Sequence, residues 1–155
     1  MLPLTPAASH APAIAKAVYS SAYVRLLFDY VAQQGLDAQQ VLGEPYPNIG
    51  DHGLARYPAT RWITLLETAA KTLNDPVLGL HLGQTLSVHH LGVLGYVLQS
   101  SDNLGALLLR WQKFERLVSD VAPLQMRLEQ GAVVLHWAAA DYLGALADET
   151  ALVSM

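Results

Sequence analysis

Residues 103–138 read NLGALLLRWQKFERLVSDVAPLQMRLEQGAVVLHWA, and their hydrophobic period changes partway along. From Leu104 onward, apolar residues recur every three or four positions, which predicts an amphipathic helix. After Pro123, apolar and polar residues alternate, and Gly131 stands where a tight turn needs a positive φ. The segment therefore predicts a long helix from Leu104 to about Asp120, followed by an antiparallel β-hairpin at about 124–138.

The helical period also fills most of the chain before this segment. It predicts helices at about 21–35, 37–43, 60–74 and 76–84. Thr60 is the expected N-cap of the third helix, and Asp75-Pro76 is the expected start of the fourth. Residues 44–58 are rich in Pro, Gly, Asn and Asp and are predicted to form a long loop. The predicted fold class is α+β, a mostly helical domain with one antiparallel β-hairpin.

Glycines interrupt two of the apolar segments. Residues 89–100, HHLGVLGYVLQS, are apolar on nearly every side, which predicts burial on most faces. Gly92 and Gly95 each lower helix propensity by about 1 kcal/mol relative to alanine, so close approach of a neighbouring element is the expected gain. The pair Gly79-x-x-x-Gly83 is best explained by helix crowding in a core.

Composition limits the classes of protein to which the chain can belong. Its 155 residues are 52% hydrophobic and 14% charged, which predicts one packed domain and not a disordered chain. The 9 Lys and Arg residues form no basic cluster and the formal net charge is -4, so we expect no direct DNA binding by this chain. The absence of cysteine excludes disulfides and thiolate zinc sites, and it fits a cytoplasmic location.

We assign residues 1–20 to a flexible, Ala/Pro-rich leader and residues 21–155 to one regulatory domain. The leader has no basic residue ahead of its apolar residues and is interrupted by prolines, so we do not expect a signal peptide. No apolar run is long enough to span a membrane. The residues from Asp148 onward look like the first turns of a helix, and we expect the natural chain to continue beyond Met155.

The sequence holds no motif of nucleotide or hydrolase chemistry. A G-x-G-x-x-G run after a strand, a Walker lysine and a G-x-S-x-G elbow are all missing. A Ser-His-Asp triad assembles in space and leaves no fixed spacing, so the sequence alone does not exclude one. We predict that the chain is not an enzyme and needs no cofactor.

His81, His89 and His90 lie close together in the sequence and are the candidate metal ligands. Three imidazoles would suit Zn²⁺, Cu²⁺ or Ni²⁺. The alternative is that all three are polar residues at helix ends. Because adjacent histidines point to different helix faces, at most one of His89 and His90 is expected to suit a given site. We therefore assign no metal and keep the three histidines as the weaker alternative.

Large aromatic residues occur on separate predicted elements, at Trp62, Tyr96, Trp111 and Trp137. Such residues fill an ordinary core, or they line an apolar pocket in which their polar tips orient a ligand. Core is the commoner role for any one of them, and the sequence leaves both alternatives open.

Two glycine-containing blocks resemble one branch of the AraC-type transcriptional regulators. The blocks are Asp75-Pro76-x-x-Gly79-Leu80 and Leu91-Gly92-x-Leu94-Gly95-Tyr96, and a Ser-Ser break and a long amphipathic helix follow in the same order. The resemblance covers about residues 22–155. It implies an N-terminal effector-binding domain, often labelled arabinose-binding-like, that precedes two helix-turn-helix units in the whole protein.

The resemblance implies a cytoplasmic sensor that binds a small-molecule effector and touches DNA only through a C-terminal domain absent from this chain. Members of this branch are associated with varied effectors, so the label identifies no ligand, and a homodimer is a compatible assembly. Our candidate ligand-binding residues are Tyr96, Arg110, Trp111, His136 and Trp137. The alternative function is a dimerisation or protein-interaction module without a small ligand.

Overall fold

A computed structural model describes residues 15–50, 55–121, 123–137 and 144–154. The helices are α1 (Ser21–Gln33), α2 (Ala38–Leu42), α3 (Ala59–Leu73), α4 (Leu78–Gln84), α5 (Val93–Gln99), α6 (Leu104–Phe114) and α7 (Ala145–Val153). The strands are β1 (Val18–Ser20), β2 (Arg56–Pro58), β3 (Leu124–Glu129) and β4 (Ala132–Trp137), and 3-10 turns cover Val88–Leu91 and Glu115–Leu117. The fold is α+β and mostly helical, as predicted.

Helix α1 forms the centre of the core, because most of its residues are buried and they lie on more than one face of the helix. Trp62 of α3 is fully buried beside it. The indole ring of Trp62 lies 5.9 Å from the ring of Tyr19 and 5.7 Å from that of Tyr23, both in tilted or edge-on arrangements. Aromatic pairs at these distances and angles are favourable beyond the area that they bury. The aromatic group therefore joins the N-terminal strand, α1 and α3.

Local capping explains the two helices whose ends the sequence predicted well. Ser20 caps α1 by accepting a hydrogen bond from the Tyr23 N–H. Asp37 caps α2 in the same way, since its carboxylate accepts from two backbone N–H groups of the first turn. Gly43 ends α2 in the left-handed region with φ of 69°, the conformation that glycine adopts without strain. Both helix predictions are confirmed.

Two predicted helix starts are wrong. Helix α3 begins at Ala59 with Pro58 in the N-cap position, and Thr60 caps nothing, because strand β2 leads directly into the helix. Helix α4 begins at Leu78 and not at Pro76. The Asp75 carboxylate accepts a hydrogen bond from the Val77 N–H, so these residues form a turn ahead of the helix.

Strand β1 lies in the segment that we assigned to the leader, and that part of the assignment is wrong. It pairs antiparallel with β2, inside the predicted loop 44–58. On its other edge, the Ser20 N–H donates to the Val118 carbonyl at 2.6 Å, and the Val18 N–H donates to Asp120 Oδ1 at 2.7 Å. A three-residue strand is too short to show alternation in a sequence. Residues 1–14 of the leader and 51–54 of the loop lie outside the described residues.

The predicted burial of residues 89–100 on most sides is wrong. A 3-10 turn precedes α5, and this short helix buries one face against the core while Tyr96, on the other, is 65% exposed. The expectation of close approach at Gly95 is confirmed: a Cβ there would overlap the carbonyl oxygen of Val88.

The crowding expected at the glycine pair of α4 is also confirmed, and the neighbour is α7. A Cβ at Gly79 would overlap the carbonyl oxygen of Leu146, and one at Gly83 would lie 2.6 Å from Val153 Cβ. The C-terminal helix that the sequence hinted at is therefore present and packs closely along α4.

The long helix predicted from Leu104 to about Asp120 is shorter in the structure. It ends at Phe114, gives way to a 3-10 turn, and then runs as extended chain beside β1. The hairpin at 124–137 is confirmed, and Gly131 has the predicted positive φ, at 82°. Residue 138, the predicted end of the hairpin, lies outside the described residues.

Glu115 fixes the hairpin to the end of α6. It is buried, and both of its carboxylate oxygens accept from the Leu124 N–H, at 2.8 and 2.9 Å. Burial raises the pKa of the Glu115 carboxyl, and the hydrogen bond from Leu124 opposes that rise. A buried N–H that lost this acceptor would be left unsatisfied.

We expect Glu115→Ala to lower the free energy of unfolding by about 1–3 kcal/mol, because the Leu124 N–H loses its acceptor. Glu115→Gln keeps an acceptor oxygen and should cost less. Since the folded state holds the Glu115 proton more tightly than the unfolded state, the wild type should gain stability relative to Glu115→Gln as the pH falls from neutral toward the ordinary glutamate pKa. Urea unfolding of both proteins across this pH range measures the difference in their free energies of unfolding. The prediction is contradicted if the wild type loses stability relative to Glu115→Gln as the pH is lowered.

Candidate functional site

The structure places three of the five candidate ligand-binding residues on two adjacent helices. Tyr96 is exposed on α5, while Arg110 and Trp111 are half-buried on α6, which packs against α5. The Arg110 guanidinium donates from Nη1 to Ser101 Oγ at 2.7 Å, so it is tied to the turn that joins the two helices. Trp111 packs against the edge of the core.

The other two candidate residues lie at the end of β4. His136 is exposed opposite Gln125, and Trp137 is half-buried opposite Leu124, which is itself buried. Strand β3 contacts α6, so α5, α6 and the hairpin follow one another across one side of the domain. A cleft of about 250 Å³ beside this region is lined by Arg116, Ser119, Asp120 and Pro123, and by none of the five candidates. The five residues remain a prediction.

Large apolar side chains are exposed on these neighbouring elements. They belong to α5, α6 and the hairpin, and include Val93, Tyr96, Leu104, Leu109, Leu128 and Val133. We call this the α5–α6–hairpin surface. Where such side chains form a contiguous patch, the patch usually marks a site that binds another molecule or another part of the protein.

A second group of polar side chains lies where Asp29 of α1 meets the 3-10 turn that precedes α5. His90 Nε2 is 3.0 Å from Asp29 Oδ2, and His89 Nε2 is 3.9 Å from the same oxygen. The other oxygen, Oδ1, accepts from the Tyr46 hydroxyl at 2.9 Å. Arg25 lies over the ring of Tyr46 at 4.7 Å and donates to the carbonyl of Pro47. We call Asp29, His89 and His90 the histidine cluster.

Ser87 contacts both imidazole rings of the histidine cluster. Its Oγ lies 2.8 Å from His89 Nδ1 and 2.9 Å from His90 Nδ1. Its backbone N–H donates to His90 Nδ1 at 3.1 Å, and the two residues form a reciprocal capping box. Both Nδ1 atoms therefore face Ser87, and His90 Nε2 faces Asp29. His89 Nε2 lies between the two residues, 3.3 Å from Ser87 Oγ and 3.9 Å from Asp29 Oδ2.

The hydrogen bonds assign the protonation state of His90. A backbone N–H can only donate, so Nδ1 carries a lone pair, and the proton on Nε2 is donated to Asp29. Burial lowers the pKa of His90 and the Asp29 carboxylate opposes that shift, so the neutral form dominates at neutral pH. His90 is 3% exposed, whereas His89 is exposed.

Ser87, His90 and Asp29 follow the order of a serine hydrolase triad, but the geometry does not provide a general base. In a triad, the ring nitrogen that faces the serine must be free to take its hydroxyl proton. Here the lone pair of His90 Nδ1 already accepts the backbone N–H of Ser87 itself. The arrangement is a helix cap in which the imidazole serves as acceptor.

The candidate metal ligands divide between two places. His81 Nδ1 is 2.7 Å from Asp75 Oδ2, and within the described residues His81 is not part of the three-residue cluster. His89 and His90 do lie together, with ring centroids 4.0 Å apart, so the expectation that at most one would suit a given site is wrong. They lie in a 3-10 turn, in which Ser87 Oγ is within hydrogen-bond distance of both rings. Asp29, 61 residues before His90 in the chain, carried no sequence signal as their partner.

Within the described part of the chain, none of the helices combines the length and the hydropathy needed to cross a lipid bilayer.

Comparison with known proteins gives two matches. The family described as the arabinose-binding domain of AraC transcription regulators, N-terminal, matches residues 35–155. The ornithine utilization regulator of Pseudomonas aeruginosa is 32% identical over 126 residues, which are 80% of this chain and 37% of that protein. The chain therefore spans little more than a third of the length of this curated relative.

Proposed function

Since this chain belongs to the family of arabinose-binding N-terminal domains of AraC transcription regulators, we propose that it binds a small-molecule effector and thereby controls a DNA-binding domain elsewhere in the protein. The family consists of regulatory domains and not of enzymes. The observation that carries the proposal is the match of most of the chain to a regulator of which it spans 37%. Regulation follows if the effector binds one arrangement of the whole protein better than another.

The α5–α6–hairpin surface is where the effector binds. Tyr96 and Trp137 each offer apolar area with a hydrogen-bond donor at the edge, and Arg110 supplies a polar anchor. His136 lies on the opposite face of the hairpin from Trp137, so its part in the same site is the weakest of the five. In this chain the surface is open, as the exposure of Tyr96 shows. Another part of the protein covers this surface when the effector binds, because a ligand pocket normally encloses most of its ligand.

The effector class follows from the same side chains. The Arg110 guanidinium suits a carboxylate, and the aromatic rings of Tyr96 and Trp137 suit an ammonium group. The name of the Pseudomonas aeruginosa relative refers to ornithine utilization, so small amino acids and diamines are the first ligands to test. Arabinose, from the family description, is the natural comparison.

DNA contact belongs to the other domain. With a net charge of -4 and no basic cluster, this chain cannot neutralise the row of phosphates that DNA binding requires. Its place of action is the cytoplasm, where the DNA target of such a regulator lies.

The first test is a thermal-shift and calorimetric screen of the 155-residue chain and the full-length protein against amino acids, diamines and sugars. An effector present at one hundred times its dissociation constant should add about 2.7 kcal/mol to stability. Tyr96→Ala and Arg110→Ala should weaken its binding at least tenfold by the loss of an aromatic or ionic contact. Tyr46→Ala is the matched control, because Tyr46 is also an exposed tyrosine but lies beside the histidine cluster.

Two results would contradict the proposal. An effector whose affinity survives both changes at Tyr96 and Arg110 would place the pocket elsewhere. A full-length protein whose DNA affinity responds to no ligand in the screen would count against effector sensing itself.

Self-association of the chain is a second candidate function, favoured by its exposed apolar side chains. The α5–α6–hairpin surface is apolar, and the cleft beside it includes none of the candidate residues. A dimer formed without any ligand would cover this surface directly. Sedimentation velocity of the 155-residue chain, with and without the effector, separates this function from the first.

A further inference from the structure

The histidine cluster has the composition of a metal site. It offers two imidazole nitrogens and one carboxylate oxygen, and the three ligand atoms lie within 4.8 Å of one another. Two histidines with one carboxylate are a recurring ligand set for zinc and other divalent transition metals in proteins. Nothing in the proposed effector function uses these residues.

The distances between the ligand atoms fit a single ion. Atoms bound to zinc at about 2.0–2.1 Å in tetrahedral geometry lie about 3.3 Å from one another. In the structure, Asp29 Oδ2 is 3.0 Å from His90 Nε2 and 3.9 Å from His89 Nε2. These values bracket the required separation, and His89 is exposed and free to adjust.

The surrounding residues orient the ligands as the partners of a metal site do. Metal-binding histidines normally direct the second ring nitrogen to a hydrogen-bond partner that fixes the ring. Ser87 Oγ lies within hydrogen-bond distance of both Nδ1 atoms, so it can accept the Nδ1–H of each ring once it releases the His90 backbone N–H of the capping box. The Tyr46 hydroxyl occupies Asp29 Oδ1 and leaves Oδ2 facing the two imidazoles.

We propose that Asp29 Oδ2, His89 Nε2 and His90 Nε2 bind a divalent transition metal ion, best matched by Zn²⁺, with solvent at the remaining position. The ion links α1 to the turn that precedes α5. Because His89 and part of the Asp29 carboxylate face solvent, the ion has a path of entry from the surface.

Binding requires a change of proton position on His90. The ion replaces the proton that Nε2 donates to Asp29, and the neutral ring then carries its proton on Nδ1, where it is donated to Ser87 Oγ. The backbone N–H of Ser87 loses its acceptor in the process. The expected affinity is therefore micromolar and not that of a closed structural zinc site, and it falls as the pH falls because the imidazoles must be deprotonated.

The test is a titration of the tag-free 155-residue chain with Zn²⁺ by calorimetry, and with Co²⁺ by visible absorption. We expect one saturable site per chain. His89→Ala and Asp29→Asn should each weaken the affinity at least tenfold, and Ser87→Ala should weaken it by about 10–100-fold through loss of ring orientation. His89→Ala is the decisive variant, because the His89 side chain is 66% exposed and its removal should leave the fold intact.

His81→Ala is the matched control, since His81 is another half-exposed histidine paired with an aspartate. The affinity of His81→Ala for zinc should equal that of the wild type. Long-range proton–nitrogen NMR spectra should show His90 change from the Nε2–H to the Nδ1–H form when zinc is added, a readout that adventitious binding to the other histidines would not move. The proposal is overturned if no saturable site is found, if His89→Ala binds as the wild type does, or if His81→Ala weakens binding equally.

Discussion

Replacing Trp62 with alanine is expected to lower the free energy of unfolding by about 3–5 kcal/mol, the largest loss that we expect from a single side chain of this domain. The indole is 0% exposed and packs between Tyr19 and Tyr23, so its removal leaves a cavity where three elements meet. Since small domains are stable by about 5–15 kcal/mol, the loss is a large part of the total. Urea unfolding followed by far-ultraviolet circular dichroism measures it.

Trp111→Ala is the matched control, because it removes the same atoms from a half-buried position. Trp111 packs against the core from one side and borders the α5–α6–hairpin surface on the other. We expect a clearly smaller loss of stability than at Trp62. Equal losses at the two positions would show that Trp111 is ordinary core and would weaken its candidacy as a ligand-binding residue.

Gly79→Ala should destabilise the domain by about 1–3 kcal/mol, even though alanine is the better helix former by about 1 kcal/mol. The new Cβ would overlap the carbonyl oxygen of Leu146 and lie 2.8 Å from Glu149 Cβ, so α4 and α7 must move apart. A backbone carbonyl cannot rotate away as the end of a side chain can. Chemical denaturation gives the stability, and protease sensitivity of α7 reports whether it has separated.

Gly105→Ala provides the contrast for that result. Gly105 is exposed in α6, and its new Cβ would approach only Asn103 Oδ1, at 3.3 Å. Here the gain in helix propensity should decide the outcome, so the stability should stay within about 1 kcal/mol of the wild type or rise. A loss at Gly105 as large as that at Gly79 would mean that close packing against α7 is not the cause.

Local signals made the sequence informative about several elements. The caps of α1 and α2 and the turn of the hairpin depend on residues that touch their own neighbours in the chain, such as Asp37, Gly43 and Gly131. Each of these residues acts within a few positions of itself. A sequence therefore shows them directly.

Interactions across long separations explain the predictions that failed. Strand β1 is held by β2 and by residues near Val118, and neither partner is visible in the three residues of β1 themselves. The exposed face of α5 is apolar in composition, so the sequence predicted burial of residues 89–100 on most sides. Only one face of the helix packs against the core, and Tyr96 on the other face is exposed.

The functional residues were harder still. The histidine cluster needs Asp29, which the helical pattern places on the polar face of α1 with no mark of its role. Its partners lie in a 3-10 turn where helix geometry does not separate the two rings. The candidate ligand-binding residues were chosen by residue type on three predicted elements, because the family resemblance supplied no ligand motif. The structure brings their elements side by side, and the cleft next to them is lined by other residues.

Strand β1 also has a consequence for the order in which the chain folds. The hydrogen bond between Val18 and Asp120 joins residues 102 positions apart, whereas α1 and α2 depend on contacts within a few residues. Contacts between distant residues form late, because the entropy of closing the loop must be overcome before the contact stabilises anything. The helices can thus assemble first, and the short strand that looked like a dispensable leader supplies the closing step of folding.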